Sequence, residues 1–138
     1  MKTPFYWPVR VYYEDTDAGG VVYYANYLKF FERARTEHLR SLGFEQDELR
    51  KTAGLLFVVR SVQVDYLKPA RFNDTLFVST AVAELKRAGI TFSQEIRLGN
   101  PEGVKLCEAS IRVACIADGE FRPTAIPGFL LERIKDAI

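Results

Sequence analysis

The chain has 138 residues, 48% of them apolar and 27% charged, so it is neither a disordered polyelectrolyte nor a membrane-embedded chain. Nineteen basic residues against eighteen acidic ones leave a net charge of +1, which gives no general pull toward nucleic acid or an anionic membrane. No run approaches the ~20 apolar residues that cross a bilayer, and Met1–Val11 lacks a signal-peptide core. A soluble, cytoplasmic protein is the expectation, built as one unit over residues 1–138, since no repeat or linker breaks the sequence.

Phe5–Tyr13 is aromatic and β-branched and predicts a strand, with Pro8 favouring an edge. Glu14-Asp15-Thr16-Asp17-Ala18-Gly19-Gly20 predicts a turn carrying two acids. Tyr24, Tyr27, Leu28, Phe31, Ala34, His38 and Leu42 recur at three- and four-residue spacing, which predicts a long helix ended by Gly43. A short polar helix over Glu45–Thr52 follows.

The remainder alternates as strands. In Leu55–Leu67, Val58, Val62, Val64 and Tyr66 are expected to share a face. After a loop over Lys68–Asp74 come strands at Thr75–Leu85, Ile90–Leu98 and Val104–Ala117, joined by turns at Lys86–Gly89 and Asn100–Gly103. Asp118-Gly119 predicts a type I′ turn into a short strand, Glu120–Ala125. Pro127 is expected at the first position of a C-terminal helix running to about Ala137. One early helix followed by antiparallel strands gives an α+β fold: a curved antiparallel sheet wrapped around one long helix. The far face of that sheet reads as partly apolar, which predicts a homodimer or larger assembly.

Cys107 and Cys115 fall eight positions apart in one strand. At ~3.3 Å per residue they lie about 26 Å apart, beyond the ~7 Å reach of a disulfide. They are expected to be reduced and buried.

The chemistry concentrates at Tyr13–Tyr27. An acidic turn there runs into a helix whose first N–H groups have no partners and whose dipole end is positive. Such amides polarise a carbonyl, and a carboxylate facing the same carbonyl can attack it or deprotonate water. Spacing alone favours an ordinary helix cap.

The block Tyr13-Glu14-Asp15-Thr16-Asp17-Ala18-Gly19-Gly20-Val21-Val22-Tyr23-Tyr24-Ala25-Asn26-Tyr27 resembles the signature of the 4-hydroxybenzoyl-CoA thioesterase family of hotdog proteins. Phe30-Phe31-Glu32-Arg33-Ala34-Arg35 and Asp65-Tyr66-Leu67-Lys68-Pro69-Ala70-Arg71-Phe72 resemble its Tol-Pal-associated acyl-CoA thioesterase branch. That branch commonly has His where this chain has Tyr24; the hydroxybenzoyl enzyme resembles this chain there.

The resemblance implies hydrolysis of acyl-CoA thioesters, with Asp17 as the catalytic carboxylate and the Tyr24 main-chain N–H as the oxyanion contact. Asp15 would be structural. Gly20, Val22 and Tyr27 would border the substrate. It also implies a pocket between two protomers, hence a homodimer or homotetramer, and no cofactor. Glu32 is expected either to pair with Arg35 at i+3 or to line the acyl pocket. Glu37 is a further helical carboxylate. Lys86 and Arg87 are expected either to be solvated or to hold coenzyme A phosphates, and Lys68 and Arg71 share that choice.

His38, the sole histidine, is expected to be structural. It alone cannot supply the ligands of a typical zinc site, so no metal is expected. It also leaves no acid–histidine pair for a hotdog hydratase. The alternative from a different class is a non-catalytic module binding acyl-CoA or acyl carrier protein, linked to envelope lipid metabolism.

Overall fold

The computed structural model describes residues 4–138, so Lys2 of the opening segment lies outside it. The elements run β1 (Phe5–Arg10), a 3-10 turn (Tyr13–Asp15), α1 (Asn26–Ser41), α2 (Gln46–Ala53), β2 (Leu55–Tyr66), β3 (Thr75–Lys86), β4 (Gly89–Leu98), β5 (Lys105–Ala117) and α3 (Gly128–Ala137). The five strands form one antiparallel sheet in the order β1-β3-β4-β5-β2. Helix α1 packs on one face of it, as the alternation of the strands requires.

The α1 stripe is rotated slightly from its expected position. Tyr27, Phe30, Phe31, Ala34, Arg35, His38 and Leu39 are buried, whereas Leu28 is 39% exposed. Phe30 and Phe31 meet Val78, Ile96 and Ile111 of the sheet in one apolar cluster. Gly43, at φ +94°, closes the helix. Its N–H reaches the Arg40 carbonyl while the Phe44 N–H reaches the Leu39 carbonyl, a Schellman pair.

A second cluster, around Ile90, Phe92, Val113, Leu130 and Ile134, closes the other end of the sheet beneath α3. Pro127 caps α3 from outside rather than occupying its first turn: its carbonyl accepts the Leu130 and Leu131 N–H groups.

The structure corrects several expectations. β1 stops at Arg10 because the chain turns into the 3-10 segment. β2 carries a bulge between Val59 and Ser61. The extra residue flips the alternation, so Val59, Val62, Val64 and Tyr66 face α1 and Val58 faces away. Glu120–Ala125 is not a strand; only an isolated bridge joins Ile116 and Pro123. Pro123 has no N–H to give a ladder, and Phe121 sits at φ +52°. Only Gly119 of the Asp118-Gly119 pair has positive φ, so that turn is not type I′.

The far face of the sheet is polar at its centre. Glu95, Arg97, Lys105 and Glu108 form a linked ion network there, flanked by the exposed Ser93, Ser110 and Gln63. Exposed apolar side chains lie instead along the seam between α1 and the edge strand β2. Those on the seam are Tyr24, Leu28, Val59, Val62, Tyr66 and Leu67, while others, such as Phe121 and Phe129, lie elsewhere. Cys107 and Cys115 are both buried and free on β5, and burial pushes the Cys107 thiol up to about 12.

Candidate active site

The two acids of the turn have different surroundings. Asp15 is 7% exposed. Its carboxylate accepts the Tyr12 N–H at 2.9 Å. Its carbonyl accepts the Tyr23 N–H at 2.9 Å and the Asn26 side-chain amide at 3.1 Å. Asp15 thereby ties the turn to the first residue of α1.

Asp17 is exposed, at the tip of a small loop closed by a bridge between Thr16 and Val22. One carboxylate oxygen accepts the Gly19 N–H at 2.8 Å. No basic side chain among the described residues pairs with it. Gly20 holds φ +80°, which the loop needs to reverse and which a side chain resists. A Cβ on Gly19 would lie 3.2 Å from the Asp17 carboxylate, so that glycine leaves room for the acid.

The loop is buttressed from the far side. Val22 donates to the Ala70 carbonyl at 2.8 Å, Val21 bridges to Arg71, and the Tyr13 and Phe72 rings stack at 3.8 Å. The Lys68–Asp74 segment, read from sequence only as a loop, is therefore the scaffold that aims Asp17.

At the head of α1, Asn26 donates to the Tyr23 carbonyl at 2.8 Å and Leu28 to that of Ala25 at 3.2 Å. The Tyr24 N–H donates to no described residue, as the opening turn of a helix leaves it. Tyr66, at the end of β2, donates its hydroxyl to the Tyr24 carbonyl at 3.0 Å. It packs edge-on to Tyr24 and against Tyr27 at 5.3 Å. Tyr66 fixes the peptide next to the free amide. Sequence reading placed it in a strand and in the Asp65–Phe72 block without giving it a role.

The Tyr24 and Tyr23 rings lie 4.8 Å apart. Hydrogen bonding of the Tyr23 phenol to the Tyr24 side chain pushes its pKa up, and the Asp17 charge adds a smaller rise.

A cavity of about 250 Å³ opens here, lined by Val22, Tyr24, Tyr27, Tyr66, Leu67, Lys68 and Pro69. Tyr27 is buried, and its hydroxyl accepts the Ala70 N–H at 3.0 Å. Burial is the main reason its phenol pKa rises.

The structure separates the other residues singled out from the sequence. Glu32 lines a different cavity, farther along α1, with Arg35, and the two form no ion pair. Arg35 instead donates to Gln94 at 3.0 Å. Glu37 pairs with Arg40. Lys86 and Arg87 border a third cavity, of about 280 Å³, together with Arg60 and Arg112. Those four cations have no acid in that lining, though Lys86 also meets Glu84 at 3.6 Å. Arg60 is the bulge residue and Arg112 points to the far face of the sheet. Arg60 lies about 20 Å from Tyr66 along β2 at ~3.3 Å per residue, and Arg112 pairs with the neighbouring Ser61. In one chain, then, this cluster is remote from Tyr24.

His38 packs flat on Phe5, ring centroids 5.2 Å apart, and its Nδ1 meets no partner among the described residues. Burial lowers its pKa. It takes no part in the site. No cluster of three His, Cys, Asp or Glu side chains suited to a metal ion occurs among the described residues.

An acid with an uncommitted oxygen, set before a helix whose opening amide is unspent, invites comparison with known proteins. The thioesterase superfamily model matches residues 19–105. The chain belongs to that superfamily. The acyl-CoA thioesterase YbgC of Haemophilus influenzae is 50% identical over 92% of this chain and 91% of its own. The acyl-CoA thioester hydrolase YbgC of Escherichia coli is 44% identical, covering 96% and 97%. Among solved structures, a probable thioesterase from Bartonella henselae superposes with a TM-score of 0.84 at 37% identity, covering 91% of this chain and all of that one. The expected hotdog arrangement, and the expected resemblance, are both met. No helix among the described residues is long and apolar enough to cross a membrane.

Proposed function

We propose that this thioesterase hydrolyses acyl-CoA thioesters, with Asp17 as the reacting carboxylate and the Tyr24 amide as the oxyanion contact. The supporting observation is the pairing of one exposed, unpaired carboxylate with unspent helix-opening N–H groups, that of Tyr24 among them, at the same end of α1. The names of the relatives at 44–50% identity point to the same substrate class.

The thioester carbonyl oxygen rests on the Tyr24 N–H. The helix dipole favours the negative charge that develops there. In one route an Asp17 oxygen bonds to the carbonyl carbon, the C–S bond breaks, and an anhydride forms that water then cleaves. In the other, Asp17 takes a proton from water as the water oxygen bonds to carbon. Either way the products are the free acid and coenzyme A thiol. A thiol with a pKa near ~8.5 leaves readily, so a site without histidine suffices.

Val22, Tyr27 and Tyr66 wall the acyl carbons next to the carbonyl, and the open backbone at Gly20 borders the thioester. A second copy of the chain, packed on the α1–β2 seam, would cover the exposed apolar stripe and complete the wall. Its Lys86 and Arg87, joined by Arg60 and Arg112, would then meet the phosphates of coenzyme A. Acyl carrier protein, which presents the same thioester, is a further acyl donor to test.

Thiol release from acyl-CoAs and from acyl carrier protein, spanning aliphatic and aromatic acyl groups, tests the reading. Turnover that falls by about 10²–10⁴-fold in Asp17→Asn, with ligand binding kept, is expected. Equal turnover in both proteins rejects the role of Asp17. Binding without turnover of any thioester leaves a binding module in place of the enzyme.

A further inference from the structure

The cavity farther along α1 has a feature that the hydrolysis step does not use. Arg35 is 9% exposed. Only one contact of its guanidinium is accounted for, the 3.0 Å bond from Nη1 to the Gln94 side-chain oxygen. Gln94 is itself wholly buried and fixed, donating to the Phe31 carbonyl at 3.1 Å and to the Thr80 hydroxyl at 2.9 Å. Gln94 thus anchors the arginine and leaves its remaining N–H groups without a described acceptor.

Those groups border a cavity of about 170 Å³. Phe57, Val59 and Phe92 form its apolar wall, and Glu32, Thr36 and Gln46 its polar rim. Thr36 and Gln46 bond to each other at 3.2 Å. Glu32 forms no ion pair with Arg35; burial pulls the guanidinium pKa down, and the Glu32 charge opposes that fall. Apart from His38 Nδ1, no buried side-chain nitrogen or oxygen among the described residues lacks a partner, so the other Arg35 nitrogens open onto the cavity, where an anion can fork onto them with charge-assisted hydrogen bonds.

The cavity also lies on a line with the candidate active site. Arg35 is three turns beyond Tyr24, ~16 Å along the axis of α1. Leu28, Val62 and Tyr66, all partly exposed, mark the seam between them. A chain fixed at the Tyr24 amide and running along this seam meets apolar side chains first and a guanidinium last.

We propose that the Arg35 cavity is a carboxylate subsite that binds the far end of the acyl chain, so that the enzyme prefers acyl groups ending in a carboxylate to those ending in a methyl. This rests on the hydrolase reading above and names its substrate class.

The test compares straight-chain acyl-CoAs of increasing length, each made with a methyl end and with a carboxylate end. In the wild type, kcat/KM is expected to favour the carboxylate end by at least about tenfold once the chain is long enough to reach Arg35. Arg35→Met is expected to bring that ratio to about one. Arg35→Lys, which keeps the charge and loses the planar fork, is expected to fall between them. The ratio is internal to each variant, so a general loss of activity does not alter it.

A ratio near one at every length in the wild type overturns the proposal. So does a ratio that survives in Arg35→Met. A change of oligomeric state in Arg35→Met with the ratio intact also overturns it, and assigns the missing carboxylate to a neighbouring copy. If no thioester turns over, the hydrolase reading fails separately. Calorimetry of the free dicarboxylic acids against their monomethyl esters, on the folded wild type and Arg35→Lys, then decides the subsite alone: tighter binding of the diacid, weakened by the substitution, supports it, and equal binding rejects it.

Discussion

The two ends of α1 are held in opposite ways. Its C-terminal end is closed by a Schellman pair at Gly43 and followed by a second apolar cluster in which Leu130 and Ile134 are almost wholly buried. Its N-terminal end has no side-chain cap, leaves the Tyr24 amide unspent, and exposes Tyr23 and Tyr24 beside an acid whose second oxygen is uncommitted. The end of the helix satisfies its own backbone groups, while its start leaves a donor free. A helix start that capped itself with its own side chain would be more stable and would have no donor left for a substrate.

Substitutions at the two ends sharpen this contrast. The largest stability effect is expected from Leu130→Ala, which empties part of the second cluster and should cost about 2–5 kcal/mol in denaturant unfolding. Its kcat per folded molecule should stay close to wild type. A loss of kcat matching the loss of stability would dissolve the division between the ends.

Gly20→Ala is next. It forces a side chain into positive φ and should cost about 1–2 kcal/mol, together with a lower kcat because the loop that carries Asp17 shifts. Stability and kcat both at wild-type values would show that the loop tolerates another shape.

Tyr66→Phe removes the hydroxyl that holds the Tyr24 carbonyl. A bond of that kind contributes about 0.5–1.5 kcal/mol. We expect kcat to fall a few-fold with little change in melting temperature; an unchanged kcat would mean that the peptide needs no such clamp.

The smallest effect concerns His38. Burial depresses its folded pKa, so the neutral ring is the stable form in the fold. Its contribution is complete above the ordinary histidine value of about 6.5 and is lost progressively as pH falls below it. His38→Phe should therefore flatten the fall of melting temperature on acidification through that range. An equally steep fall in the variant would assign the acid sensitivity to other groups.

Much of this was legible in the sequence because the strands alternate cleanly and the helix has a strong apolar period. The reading failed where one residue changes the geometry. The bulge at Val59–Ser61 reverses the face of Val58, and no local signal marks it. Phe121 and Pro123 end a segment whose composition still reads as strand. Asp15 and Asp17 were separable by resemblance but not by spacing; the physical difference, burial of one and exposure of the other, depends on the Lys68–Asp74 segment folding back from half the chain away. Tyr66 and Gln94 escaped notice because their roles come from contacts across the sheet and helix. The i+3 spacing offers Glu32 either as a partner for Arg35 or as a pocket residue, yet the guanidinium turns inward to Gln94, since a buried amide offers it a fixed acceptor that a solvated carboxylate does not.

The central claim concerns two acids two positions apart with different tasks, and it is tested most directly by measuring acyl-CoA turnover and melting temperature side by side for Asp17→Asn and Asp15→Asn. The account predicts that Asp17→Asn lowers thiol release by about 10²–10⁴-fold while melting close to wild type, and that Asp15→Asn lowers the melting temperature. Thiol release that persists in a well-folded Asp17→Asn would contradict it.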